Sequence, residues 1–227
     1  MKIWEHHVIG PIQTNCFIFG KPEAAVMVDP GGPEAPEIAR RLLDEEVEIK
    51  HVLVTHGHFD HLGWAPDVQE VVEGAKVYLH ENEKPTYEPF IKRMPAQFGL
   101  ALEIREPDVW IKENQILDLH GLKFKIIHTP GHSPGSVLFE YITENQNDDY
   151  LAKNSFFVGD LIFQGAIGRF DLPFSDPNDM QKSLTKIIKY IPSPSKLFPG
   201  HGSLTTMENE LKSNPYLQAI MDKRSFF

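Results

Sequence analysis

Cysteine is almost absent: Cys16 stands alone in 227 residues. An intrachain disulfide is therefore excluded, and such sparse use fits a reducing cytoplasm, the compartment we expect. Long hydrophobic runs are missing too, since no stretch approaches the roughly eighteen apolar residues of a membrane span. The N-terminus, MKIWEHHVIGPIQ, has an early acid, two histidines and no extended apolar core, unlike a secretory signal. Positive charge is scarce, with 22 Lys and Arg against 32 Asp and Glu and a formal charge of −10. That balance argues against a broad nucleic-acid-binding face, which needs clustered cations. Cationic ligands remain compatible with it, and metal ions are the obvious kind.

What the chain does contain is apolar material. A hydrophobic content of 41% over this length can bury a real core, as one large domain or as one domain made of two similar halves. KIWEHHVI, TNCFIF and AAVMVDPGG read as three strands, the third stopped by Pro30, Gly31 and Gly32. PEIARRLLDEE spaces Ile38, Leu42 and Leu43 as a helix face would, and the strand HVLVTH follows. APDVQEVVEG reads as a helix and KVYLH as a strand. The second half repeats the theme with strands KFKIIHTPG, SVLFEYI and SFFVGDLIF, the helix PNDMQKSLTKIIKYI and a last strand in KLFPG. ENQNDDY, residues 144–150, reads as a polar hairpin tip, and residues 84–114 as a helical lid or a long connection. Strands in meander followed by strands alternating with helices predict two sheets face to face with helices outside, a layered α/β arrangement.

The chemistry concentrates in THGHFDH, residues 55–61. An even spread of eleven histidines would put about 0.3 in such a window, and here there are three beside an aspartate. The spacing of His56, His58, Asp60 and His61 suits a strand end turning into a loop better than one helical face. Imidazole and carboxylate are ligands for zinc, iron or manganese, and two nearby sets suggest two ions. Further candidates stand at later strand ends: His132 in TPGHSPGS, Asp160 in FFVGD and His201 in PGHG, each beside glycine. One histidine after a strand is commonly structural. The same pattern at four strand ends is hard to explain as turns.

Taken together, His-x-His-x-Asp-His followed by His, Asp and His resembles the metallo-β-lactamase fold superfamily, and the likeness covers essentially the whole chain, including VDPGG before the first helix. The resemblance implies a four-layer αββα sandwich of two pseudo-equivalent halves, as a single domain over residues 1–227. By motif it implies that His56, His58 and His132 hold a first metal, that Asp60, His61 and His201 hold a second, and that Asp160 bridges them. Asp29 and Thr55 would orient ligand imidazoles from behind, or else Asp29 would cap the turn at Pro30.

Within the superfamily, GDLIFQGAIGRFDLP, residues 159–173, resembles the GD-x-x-F…GR-x-D segment of small glyoxalase II-like hydrolases, as does NPYL near the C-terminus. The resemblance then implies hydrolysis of an acyl thiol such as S-lactoylglutathione, by a hydroxide that the two divalent ions share, with Asp60 and Asp160 in the catalytic centre. Zinc is the expected metal, with iron or manganese as alternatives. Arg169 would pair with a substrate carboxylate, or else brace its own loop through Asp171. Only 26 residues follow His201, too few for the helical domain that full-length glyoxalase II enzymes add, so the compact members are the better match. Two other readings stay open. A persulfide dioxygenase of the same fold would use one iron on His56, His132 and Asp160, and a non-catalytic protein would close the site around its metal. His6, His7, His51, His80, His120 and His128 are expected to be structural.

Overall fold

The computed structural model describes residues 3–143 and 151–224, so the hairpin tip expected at 144–150 lies outside the described residues. The chain divides into two compact units. The first runs through Lys112 and adds Leu119–Leu122, and the second comprises Glu113–Asp118 and the residues from Lys123 onward.

The first unit begins with an antiparallel meander, β1 (Ile3–Ile9), β2 (Thr14–Lys21) and β3 (Ala24–Val28). From there the connections lengthen and the strands become parallel. α1 (Glu34–Asp44) leads to β4 (Ile49–Leu53), and α2 (Phe59–Leu62) with α3 (Ala65–Val71) leads to β5 (Lys76–His80). A crossover helix is what a parallel neighbour requires, because a tight turn can only reverse the chain. β6 (Val109–Ile111) completes a six-stranded sheet of order β1-β2-β3-β4-β5-β6. The segment expected as a lid or a connection is a string of single helical turns, including α4 (Lys84–Tyr87) and α5 (Met94–Gln97), that ends in this strand. Pro85 and Pro95 lie in the first turns of α4 and α5, where a missing amide costs no hydrogen bond.

α1 turns its faces differently from the expectation. Ala35, Ala39 and Leu42 are its buried residues, Ile38 is partly buried, and Leu43 is exposed. The small alanines let α1 approach its neighbours closely, and the buried stripe falls at i, i+4 and i+7. These residues join Cys16 and Ile18 of β2, Met27 of β3, Val52 of β4 and Val68 of α3 in one core. Alternate residues of β2 therefore serve this core, as the two-residue period of a strand requires.

The second unit holds all but Leu119 of β7 (Ile116–Leu119) and all but Leu122 of β8 (Leu122–His128), with β9 (Val137–Ile142), β10 (Ser155–Gly159), the small hairpin β11 (Ile162–Phe163) and β12 (Ala166–Ile167), α6 (Pro177–Tyr190), β13 (Lys196–Pro199), β14 (Thr205–Thr206), α7 (Met207–Ser213) and α8 (Pro215–Met221). Its six-stranded sheet runs β14-β13-β10-β9-β8-β7. KLFPG is thus not the last strand, for β14 pairs with it antiparallel and two helices follow. α6 starts where Asp176 caps it, the side chain accepting from the Asp179 amide at 2.9 Å, with Pro177 next. It buries Met180, Leu184 and Ile187 against Ile127, Leu138, Phe156 and Leu197. Each such side chain contributes about 1.5–3 kcal/mol by leaving water. None of the described helices is long and apolar enough to cross a membrane.

Candidate metal centre

In the first unit the candidate ligands follow β4 directly. His56 and His58 lie in the loop after the strand, while Asp60 and His61 lie in α2, whose single turn is closed by bonds from the His61 and Leu62 amides to the His58 carbonyl at 3.0 and 2.9 Å. The expected strand-to-loop geometry holds for the first pair and gives way to a helical turn for the second. Thr55, His56, His58, Asp60 and His61 are all buried. The rings of His56 and His61 have centroids 4.1 Å apart, and His56 Nε2 is 3.1 Å from His58 Nδ1. Asp60 Oδ2 is 3.7 Å from His61 Nε2.

Asp29, at the end of β3, sets the protons of two of these rings. Its Oδ2 accepts from His61 Nδ1 at 3.0 Å and from the Thr55 hydroxyl at 2.8 Å, and its Oδ1 accepts from the Thr55 amide at 2.8 Å. Because the Thr55 hydroxyl gives its proton to the carboxylate, its oxygen is left to accept from His56 Nδ1, 3.1 Å away. Both imidazoles are thereby held as Nδ1–H tautomers, with the Nε2 lone pair available to a cation. Asp29 reaches this position with a left-handed backbone, φ 53°, which Asp tolerates better than most residues. Two residues on, the main chain passes against the ligand turn: a Cβ on Gly31 would stand 1.6 Å from the Asp60 carbonyl oxygen. Glu83, a buried acid that sequence reasoning missed, accepts from the Gly57 amide at 3.3 Å between the two histidines of His-x-His.

The second unit repeats this construction around Asp160, which follows β10. Asp160 Oδ2 is 3.5 Å from His132 Nε2 and 3.5 Å from His201 Nε2. The Gly200 amide donates to the Gly159 carbonyl at 2.9 Å, tying the loops of Asp160 and His201 one residue before each candidate ligand. His132 Nδ1 donates to the Arg169 carbonyl at 2.8 Å, which fixes the same tautomer as in the first unit. Gly168 allows that contact, since its Cβ would fall 1.7 Å from the Asp160 carbonyl oxygen. The Arg169 guanidinium, by contrast, is exposed and pairs bidentately with Asp171 at 2.9 and 3.0 Å, and Asp171 holds the arginine even more firmly protonated. The structure thus brings the carbonyl of Arg169, rather than its side chain, to His132, a candidate ligand.

Other histidines have partners of an ordinary kind. His6 meets Asn15, His7 meets Glu5, and His128 Nε2 donates to the Pro134 carbonyl at 2.8 Å. His51 Nδ1 is 3.0 Å from the Tyr78 hydroxyl and its Nε2 is 2.9 Å from His120 Nδ1. Burial, helped by His120, Lys76 and Lys50, pushes its pKa from 6.5 down to about 4.

The donor set fits divalent cations of the zinc, iron and manganese kind: the Nδ1 atoms of His56, His61 and His132 are each held by an oxygen, and the largely buried Asp160 carboxylate is placed equally from His132 and His201. Residues 9–201 match the family model described as the Metallo-beta-lactamase superfamily. The chain is 35% identical over 213 residues to the hydroxyacylglutathione hydrolase GloC of Haemophilus influenzae, covering 91% of this chain and 94% of that one. A solved structure described as BLEG-1 B3 metallo-beta-lactamase has a TM-score of 0.79 and 32% identity over 95% of this chain and 99% of its own. A di-iron-bound form of TTHA1623 gives 0.78 and 32% over 94% of this chain and 100% of its own.

Proposed function

The chain belongs to the metallo-β-lactamase superfamily, and on that premise we propose that it hydrolyses small acyl thiols of the S-lactoylglutathione type. In this reading residues 1–227 act as one catalytic domain. His56, His58 and His132 would hold one divalent ion, Asp60, His61 and His201 would hold the other, and Asp160 would serve both. Zinc is the first candidate, and the di-iron neighbour supports iron as an alternative filling of the same donors. When bound, such ions polarise a carbonyl and lower the pKa of a coordinated water to about 7.

The protein's own part is to keep the donors ready. Asp29 and Thr55 hold His61 and His56 by their Nδ1 atoms and turn Nε2 towards the other candidate ligands, and the Arg169 carbonyl does the same for His132. These three rings therefore need little reorientation to bind. Asp60 and Asp160 supply anionic charge among neutral rings. A thiol leaving group, with a pKa of about 8.5, departs as thiolate without a strong general acid. This suits a site whose carboxylates serve as ligands. Arg169 reaches a substrate carboxylate only by exchanging Asp171 for it.

One observation carries the substrate class, the near full-length likeness to GloC, whose own name states hydroxyacylglutathione hydrolysis. The test is the metal-replete protein assayed on S-lactoylglutathione and other acyl thiols, with metal stoichiometry measured on the same preparation. Two ions per chain and thiol release without oxygen uptake are expected. Absence of thioesterase activity on every acyl thiol would overturn the reading, and a single iron with oxygen consumption on glutathione persulfide would replace it with a dioxygenase.

A further inference from the structure

A second set of buried polar groups lies behind the ligands of the second unit, where α7 meets the β11–β12 hairpin. Glu210 of α7 and Asn214, which separates α7 from α8, both have no exposed surface. Glu210 Oε2 accepts from the Gly165 amide at 2.8 Å and from Asn214 Nδ2 at 2.9 Å, while its Oε1 accepts from the Thr205 hydroxyl at 2.6 Å. Asn214 Nδ2 also donates to the Ala166 carbonyl at 2.9 Å and lies 3.4 Å from the Phe163 carbonyl. Its Oδ1 accepts from the Tyr216 amide at 3.1 Å and so caps α8.

The partners of this pair sit on the loops that carry ligands. Gly165 and Ala166 belong to the hairpin that leaves Asp160, and Thr205 stands four residues beyond His201. The far end of the same hairpin returns to the ligands, because Gly168 lies on the Asp160 carbonyl and the Arg169 carbonyl accepts from His132. One buried carboxylate is therefore bonded to both loops, and the hairpin it grips ends on the acceptor that fixes the tautomer of His132. Its cost is considerable, since a fully buried carboxylate held only by dipoles has given up its hydration. A helix of seven residues could be anchored more simply by apolar contacts such as those Met207 already makes.

We infer that Glu210 and Asn214 are positioning residues for the metal centre, holding the loops of Asp160 and His201 in register and, through the hairpin, the ring of His132. The inference rests on the reading of those three residues as metal ligands. They touch neither metal nor substrate and act only through the backbone they hold.

The test measures Zn²⁺ and Co²⁺ affinity by competition with a chromophoric chelator, together with the Co²⁺ absorption spectrum. Asn214→Asp keeps the cap on α8 but sets an oxygen against the Ala166 and Phe163 carbonyls and Glu210. It should weaken metal binding about tenfold or more and change the Co²⁺ spectrum. Glu210→Leu should do the same. Glu210→Gln should restore affinity to within about threefold, as its amide oxygen can accept from Gly165 and Asn214 while its NH₂ donates to Thr205. If Asn214→Asp fails to fold, Thr205→Val removes one donor at nearly constant shape and should still weaken binding about threefold. Wild-type affinity and spectrum in folded Asn214→Asp and Glu210→Leu, or in Thr205→Val where those two do not fold, would overturn the inference while leaving the ligands in place. Asp160→Ala serves as the reference. If that variant binds metal like the wild type, the ligand assignment fails and the inference fails with it.

Discussion

Asp29→Asn separates the orienting role of the carboxylate from its shape. Asparagine adopts a left-handed backbone as readily as aspartate, so the φ of 53° adds no strain. The amide has two placements. With its NH₂ in place of Oδ2, it donates where the carboxylate accepted: His61 must present a bare Nδ1, and the Thr55 hydroxyl turns to donate to His56 Nδ1. Both rings then carry their proton on Nε2, the atom that would bind the metal in the proposed site. With its NH₂ in place of Oδ1, it faces the Thr55 amide, which donates to that oxygen at 2.8 Å in the native chain. That leaves a buried donor without an acceptor, at about 1–3 kcal/mol. Loss of an orienting partner costs about 10–100-fold in metal affinity, or about 1.4–2.7 kcal/mol. Chelator competition measures the affinity, urea unfolding in excess chelator measures the apo stability, and imidazole ¹⁵N shifts show the tautomers. An Asp29→Asn protein with affinity within twofold of the wild type and unchanged tautomers would refute the argument that Asp29 sets the protons of His56 and His61.

His51 gives a pH effect of definite sign. Its pKa is about 4 in the folded chain against 6.5 when free, so between these values the unfolded state takes up a proton that the folded state refuses. Its stabilisation is present above pH 6.5 and falls as the pH drops through that window, by no more than about 3–4 kcal/mol and by less where solvent screens the ring. Urea unfolding at pH 7 and pH 4.5 should show a smaller acid loss in His51→Gln than in the wild type, and equal losses would contradict the assignment. Cys16 should be inert. Burial pushes its thiol well above the ordinary range, with the carboxylates of Asp29 and Glu5 adding to the effect. A disulfide reagent should label one thiol per chain only after unfolding, and prompt reaction of the native protein would disprove this. Gly168→Ala drives a Cβ into the Asp160 carbonyl, 1.7 Å away, and must move main chain. It should cost about 1–3 kcal/mol of stability along with metal affinity, and a variant equal to the wild type in both would show that the loop yields freely.

The regular elements were legible where their residues carry a period or a stop. β1 to β5, β8 to β10, α3 and α6 stand close to where alternation, helical spacing and Pro-Gly punctuation put them. What was lost is short. α2 has four residues, β6 three and β14 two, lengths over which neither period can declare itself. α7 and α8 did carry signals, because Thr206 caps one by accepting from the Asn209 amide at 3.2 Å and Asn214 caps the other, followed by Pro215. The helical spacing of Ile38, Leu42 and Leu43 predicts one buried face, yet the close approach of α1 selects Ala35 and Ala39 and leaves Leu43 exposed.

For the site, the difference between what could and could not be read lies in how far apart the interacting residues stand. A metal demands particular donors, and a strand end presents several of them within a few positions, so THGHFDH is legible by itself. Its supports are remote in sequence: Asp29 acts on His61 across 32 positions, Glu83 on Gly57 across 26, and the Arg169 carbonyl on His132 across 37. Asp29 could be named because it ends a strand in a recognisable stretch. Glu83 and Glu210 could not, because an acid in ENEK or NELK looks like any solvated residue until the fold closes over it. Arg169 is the instructive case. Its long cation invited a reading through the side chain, yet any residue supplies the carbonyl that holds His132, so no letter in the sequence could announce it. The glycine before it could, because only a residue without Cβ lets that peptide lie on Asp160. Where the backbone itself is the functional group, the signal in a sequence comes from the neighbour that lets it approach.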